Sequence, residues 1–308
     1  MDGLINVYKE KGYTSFDVVA KLRGILHQKK IGHTGTLDPD AEGVLPVCLG
    51  KATKLCEMLT DKDKVYEAVI KLGARTDTQD MSGTVLGTKG YTGDAETIAE
   101  TVRSFVGSME QVPPMYSAVK VHGKKLYELA RKGITVDRQP RNITVYSMDV
   151  KNMNLDEGYV RIETCVSKGT YIRTLCEDIG KALGCDACMA KLKRTRSGTF
   201  EIADSITLDG IAQLAKENRL SEAVTGIDKV FSMPAAVLKQ DADRYMRNGN
   251  EIYPSMFKMM GGSPDKKAFL NTGSDDICVY YSDMTFGAVY RKIGGDGDGG
   301  RYKVFKMF

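Results

Sequence analysis

A helical pattern in this chain runs into a segment that no helix can continue. Val18, Val19, Leu22, Ile25 and Leu26 recur at helical spacing. Thr14 precedes them as an N-cap, with Asp17 three residues later as its box partner. Then comes Gly32-His33-Thr34-Gly35-Thr36-Leu37-Asp38-Pro39-Asp40-Ala41-Glu42-Gly43. Pro39 fixes its own φ and lacks a backbone donor, and three glycines admit angles that other residues avoid. The segment must be a loop.

The elements around it do not alternate as regular βαβ units. Gly3 to Tyr8 reads as a short strand, and Lys64 to Leu72 alternates with Tyr66, Ala68, Ile70 and Leu72 on one face. Thr97 to Val106 reads as an amphipathic helix closed by Gly107. Strands are expected at Ile143–Val150 and Tyr159–Ser167. Helices are expected from Tyr171 to Leu183, ended by Gly184, and over Thr207–Ala215. This mixture predicts an α+β fold with a mixed, largely antiparallel sheet. After about residue 228 the texture changes. Short strand-like runs at Ala268–Leu270, Asp276–Tyr281, Phe286–Lys292 and Tyr302–Phe308 alternate with turn-rich stretches such as Gly294–Gly300. Two domains are expected: a main one over 1–230, and a small all-β appendage over 235–308.

Composition excludes more than it selects. The chain has 308 residues, 42% of them hydrophobic and 27% charged, so it can build a core and is not a disordered tail. No run reaches the length of a membrane span, and Asp2 with Lys9 and Lys11 breaks any N-terminal leader pattern. Seven cysteines, an odd number mostly inside apolar runs, suit a reduced cytosolic protein. Cys185 and Cys188 form one C-x-x-C without a second pair at zinc spacing. Forty-four Lys and Arg against 40 acids make the chain only weakly basic, so the distribution of charge matters more than its sum.

That distribution is uneven. Lys120, His122, Lys124, Lys125, Arg131, Lys132, Arg138 and Arg141 face only Glu128 and Asp137. Lys191, Lys193, Arg194 and Arg196 have no acid among them. A charge run is usually a solvated face, but two runs with Tyr116, Tyr127 and Tyr146 nearby fit a phosphate backbone better. Asp38 by itself serves equally well as a turn residue. Its glycine-rich surroundings, with His33 in the same loop, suggest that backbone must come close to something. Lys168-Gly169-Thr170-Tyr171-Ile172-Arg173 joins a strand to a helix, where the dipole disfavours a cation. Arg173 there makes sense if a carboxylate or phosphate answers it.

These segments, in order, resemble the bacterial tRNA pseudouridine-55 synthases of the TruB family. The resemblance rests on Asn6 to Ser15, the Asp38 loop with Pro46, Leu49-Gly50 and Ala52-Thr53-Lys54, and Lys64-Val65-Tyr66. It continues through Leu72 to Thr78, Gln111 to Lys120, Gly123 to Tyr127, Arg141 to Tyr146, Ser167 to Leu175 and Leu192 to Gly198. It spans residues 3–230. Glu10 stands where the family usually has proline. The tail resembles the family's small PUA-like RNA-binding appendage only loosely.

The resemblance implies a pseudouridine-synthase fold, isomerisation of a uridine in the tRNA T loop, and no metal or organic cofactor. It implies Asp38 as nucleophile, Tyr66 as the ring stacked on the target base, and Arg173 as the partner that keeps Asp38 ionised. Leu192 lies beside the base and His33 positions the loop of the RNA. Lys9, Lys120, Lys124 and Lys125 contact phosphates, and 113–146 is a flap closing on the stem-loop. The T-arm would be the only partner required, with the protein a monomer. Rival readings are a pure RNA-binding protein, a glycoside hydrolase with a second acid opposite Asp38, and a synthase acting on another RNA or with a guide RNA.

Overall fold

The computed structural model describes residues 1–121, 123–258, 275–295 and 300–308. Its centre is a nine-stranded sheet. The main path runs through Gly3–Lys9, Glu42–Leu49, Ala187–Ser197, Lys64–Leu72, Tyr159–Val166, Arg141–Asn154 and Gly107–Gln111. Ile31–His33 adds to Glu42–Leu49, and Phe200–Glu201 to Ala187–Ser197. Every pairing is antiparallel except that of Ala187–Ser197 with Glu42–Leu49. The expected mixed, mostly antiparallel sheet is what forms.

The strand Lys64–Leu72 shows why. Lys64, Tyr66, Ala68, Ile70 and Leu72 are buried while the residues between them are half-buried, the period-two pattern of a strand with one face in a core. The helix Ile172–Ala182 covers that face with Ile172, Leu175, Cys176 and Ile179. Each such aliphatic side chain, fully buried, is worth about 1.5–3 kcal/mol. On the other side of the sheet's first strands, Val18, Val19 and Leu22 of the helix Ser15–Leu26 pack on Ile5, Val7, Leu45 and Val47. Thr14 and Asp17 close that helix with a full capping box, a device worth about 1 kcal/mol.

Several boundaries differ from expectation. The helix expected over Thr97–Val106 runs Ala95–Ser104, because Asp94 caps it by accepting from the Thr97 amide. Gly107 does not close that helix but opens a strand. The segment 32–43 is not wholly loop: Ile31–His33 and Glu42–Leu49 pair with each other, leaving residues 34–41 as the turn between them.

Beyond residue 234, Ala235–Val237, Asp276–Tyr280, Phe286–Gly294 and Arg301–Met307 form a four-stranded sheet with its own apolar cluster around Leu238, Met246 and Tyr290. This part is β-rich but not all-β, since Asp243–Arg247 is helical and buries Met246. The strand expected at Ala268–Leu270 lies outside the described residues, as does most of the glycine run 294–300. No helix among the described residues is long and apolar enough to cross a membrane.

Candidate active site

The turn 34–41 is fastened to the N-terminal strand and helix from beneath. The Ser15 hydroxyl accepts from the Leu37 amide at 2.8 Å. Gly12 N–H donates to the Pro39 carbonyl at 2.9 Å. The Lys9 ammonium, 0% exposed, donates to the carbonyls of Ala41 (2.6 Å), Pro39 (3.2 Å) and Glu10 (3.1 Å). Lys9 therefore cannot reach a phosphate. Its alternation on the first strand turns it inward, where three carbonyls spend its three protons. Burial lowers its pKa to about 8, against the pull of Asp38 and Asp40.

Held this way, the turn presents Asp38 to Arg173. Arg173 Nε lies 3.0 Å from Asp38 Oδ2 and its Nη2 lies 3.3 Å from Oδ1, a two-pronged contact. Arg173 is 5% exposed, and the Asp38 side chain keeps 38% of its surface. The carboxylate answers the cation that the helix N-terminus disfavours. Arg173 also donates to the carbonyls of Thr78 (3.0 Å) and Tyr116 (2.9 Å), and its Nη1 lies 3.6 Å from Asp80 Oδ2. Burial raises the pKa of Asp38 above the ordinary carboxylate value, Arg173 opposes that, and Asp80 adds to it. The ion pair thus offsets desolvation of Asp38 without cancelling it.

Asp80 did not emerge from the sequence. It sits in the turn after Thr76, where its Oδ1 accepts from Ser82 N–H, Ser82 Oγ and Thr78 Oγ1. Gln79 adopts φ +65° there, its carbonyl accepts from the Met189 amide, and the Met189 carbonyl accepts from Met81. The signal available was the acid-rich run Asp77-Thr78-Gln79-Asp80 directly after a buried strand.

Leu37, Tyr66, Ile172 and Leu192 belong to one buried apolar cluster beside the ion pair. Tyr66 stands opposite Arg194 and Thr164 in the sheet, and Leu192 opposite Ala68. Tyr66 and Leu192 thus sit on neighbouring strands within one apolar wall. His33, half-buried, has its Nδ1 buried without a hydrogen-bond partner. Burial, then the charge of Arg194, lowers its pKa, so it is neutral at physiological pH.

The two basic runs have different fates. Lys120 and Lys124 are exposed on a short hairpin, and Lys125 lies with Arg131 over the Tyr127 ring, at 5.5 and 5.3 Å. His122 lies outside the described residues. The run 191–196 lies on a central strand, and much of its charge is engaged within the protein: Lys193 pairs with Glu42, Arg196 with Asp63, and buried Arg194 donates to the Val44 carbonyl at 2.7 Å, while Lys191 is exposed. Among the described residues no group of His, Cys, Asp or Glu could hold a metal ion. Cys185 and Cys188 are buried free thiols.

This geometry can be set beside known proteins. Residues 23–172 match the N-terminal domain of the TruB family pseudouridylate synthases, and residues 173–232 match the C-terminal domain of tRNA pseudouridylate synthase B. A tRNA pseudouridine synthase B of Lachnoclostridium phytofermentans is 48% identical over the whole of both chains. This chain belongs to the TruB family. A Clostridium kluyveri relative of the same name is 47% identical over 83% of this chain and 87% of its own. A chain in a solved Cbf5-Nop10-Gar1 complex matches 99% of this TruB-family fold at TM-score 0.71 and 28% identity, over 84% of its own length.

Proposed function

We propose that this chain is a tRNA pseudouridine synthase that isomerises a uridine in the T loop, with Asp38 as nucleophile. The observation that carries the reading is one carboxylate, still open to solvent, gripped from two sides by a buried arginine beside an apolar wall. Curated relatives matching over most or all of the chain bear the name tRNA pseudouridine synthase B.

The reaction breaks the N1–C1′ bond of uridine and makes a C5–C1′ bond. C5 gives up its proton and N1 takes one, so atoms and electrons balance. Asp38 supplies the reversible covalent attachment that lets the base detach and turn. Arg173 orients the carboxylate, and Asp80 holds Arg173 from its far side. Tyr66 stacks on the extruded base, Leu192 bounds it, and the Tyr66 phenol can serve the closing proton transfer. Flipping a base costs a few kcal/mol, and stacking returns about 1–3 kcal/mol. His33, as a neutral ring, positions the loop of the RNA.

Lys120, Lys124 and Lys125 meet phosphates from the segment 113–146. Its Tyr116 carbonyl is tied to Arg173, so flap position and nucleophile orientation are linked. Residues 235–308 form a separate β-rich RNA-binding part, and one chain acting alone suffices.

The test is a minimal T-arm hairpin treated with the purified protein and mapped to one nucleotide. Pseudouridine at the single loop position, absent when that uridine is replaced by cytidine, is the expected result. Modification elsewhere, or none without a further RNA, contradicts the reading. Release of sugar would point instead to a hydrolase, which would need a second acid free to act opposite Asp38. Asp80, the nearest candidate, is committed to Arg173 and to its own turn.

A further inference from the structure

One charged surface remains outside this machinery. Phe16, in the first turn of the helix Ser15–Leu26, is 62% exposed. Burying it against the protein would be worth about 1.5–3 kcal/mol, so its position in water is a standing cost. Arg23 reaches back along the helix until its guanidinium carbon is 5.7 Å from the Phe16 ring centroid. It can do so because helical side chains lean toward the N-terminus and the residue one turn on from Phe16 on the same face is the small Ala20. Lys21, Lys29 and Lys30 are exposed as well. Among the described residues, none of Arg23, Lys29 and Lys30 is held in an ion pair, whereas Lys21 donates to the Tyr13 hydroxyl at 2.5 Å. In the run 191–196, by contrast, Lys193 pairs with Glu42 and Arg196 with Asp63.

The surface is joined to the catalytic turn. Ser15, the neighbour of Phe16, is the residue whose hydroxyl holds Leu37 beside Asp38. At 1.5 Å per residue, Phe16 and Arg23 lie roughly 10 Å apart along the helix axis, within the reach of a few nucleotides.

We propose that this helix face is a second RNA contact, in which Phe16 stacks an unpaired base next to the flipped nucleotide. Arg23, Lys29 and Lys30 take the adjoining phosphates. The proposal rests on the reading of the protein as an enzyme acting on tRNA. An aromatic ring under a guanidinium, with the exposed cations Lys29 and Lys30 beyond the same helix, matches a nucleic acid strand in both charge and π-surface. An acidic protein segment would use the cations but has no need of a ring face.

The test is steady-state kinetics of the full chain on an unmodified tRNA transcript, with Phe16→Ala, Phe16→Leu, Phe16→Trp and Arg23→Glu. Thermal melting checks that each variant folds. Loss of a stacked base raises KM about fivefold or more in Phe16→Ala and Phe16→Leu, whereas Phe16→Trp stays close to the parent. The loss falls on KM rather than kcat. Arg23→Glu raises KM and flattens its dependence on salt. Phe16→Leu matching the parent would overturn the proposal, since leucine keeps the apolar area and removes only the ring. Phe16→Trp as poor as Phe16→Leu would overturn it too. If the parent protein makes no pseudouridine, the functional reading has failed. The same variants compared for Kd with labelled tRNA then decide the surface independently.

Discussion

Arg173 grips Asp38 across 135 residues of sequence, with Nε and Nη2 each opposing a different carboxylate oxygen at 3.0 and 3.3 Å. The same guanidinium holds Thr78, Tyr116 and Asp80. One side chain therefore ties the catalytic turn, the acid-rich turn and the 113–146 segment into a single unit. Asp38 cannot change its orientation without disturbing the other two.

The opposing effects on Asp38 predict a directional pH response. Turnover needs the carboxylate, so it falls as pH drops through a pKa that lies above the ordinary range. Asp80 pushes that pKa up and Arg173 pulls it down. In a kcat–pH profile, Asp80→Asn should move the acid limb to lower pH and Arg173→Gln should move it higher. Movement of both limbs in the same direction would contradict the assigned charges.

A raised carboxylate pKa also has a stability sign. Between the unfolded value of about 3.9 and the higher folded value, the native state keeps a proton that the unfolded chain sheds. Stability from this group is therefore lost as pH rises across that window, and the loss persists at neutral pH. Asp38→Asn removes this pH dependence, so the variant's melting temperature relative to the parent's should be higher at pH 7 than at pH 4, while activity is lost. A lower melting temperature at pH 7 than at pH 4, relative to the parent, would contradict this.

The family resemblance implies Lys9 as a phosphate ligand, whereas the structure makes it the peg of the catalytic turn. Lys9→Met keeps its length but takes the ammonium from the buried Ala41 carbonyl and leaves the Pro39 carbonyl with the Gly12 amide alone. The expected cost is about 3 kcal/mol in denaturant unfolding. Turnover should fall as well, because the turn loses its anchor. A surface phosphate ligand would instead change KM and salt dependence and leave stability alone.

Gly43, the second residue of the strand Glu42–Leu49, pairs with Arg194 at φ +107°. A Cβ there would come within 2.2 Å of the Arg194 carbonyl oxygen. Because that oxygen belongs to a central strand, it cannot yield. Gly43→Ala should therefore cost about 3 kcal/mol or more, measured as a fall in the denaturant midpoint with an unchanged slope.

What could be read in the sequence was what depends on local pattern. The alternation from Lys64 to Leu72, the Thr14–Asp17 box and the stripe from Ile172 to Ile179 are short-range signals, and each appears where its spacing puts it. Asp38 and Arg173 were legible as two oddities, an acid in a glycine-rich turn and a cation at the wrong helix end, each needing an answer from elsewhere. The lysines and arginines were harder to place. Lys9, Arg194 and Lys120 have the same chemistry in one dimension, and only tertiary burial separates a carbonyl-binding peg from a solvent-facing charge. Asp80 was missed because its importance comes from Arg173 bringing two distant turns together.

The central claim is that Asp38 performs the isomerisation. It is tested most directly by tRNA carrying tritium at C5 of its uridines, since C5 must release its hydrogen when it bonds to C1′. The parent protein should release tritium from one uridine per RNA, and Asp38→Asn should release none while binding the same RNA with similar Kd. Tritium release by Asp38→Asn at the parent rate would contradict the account.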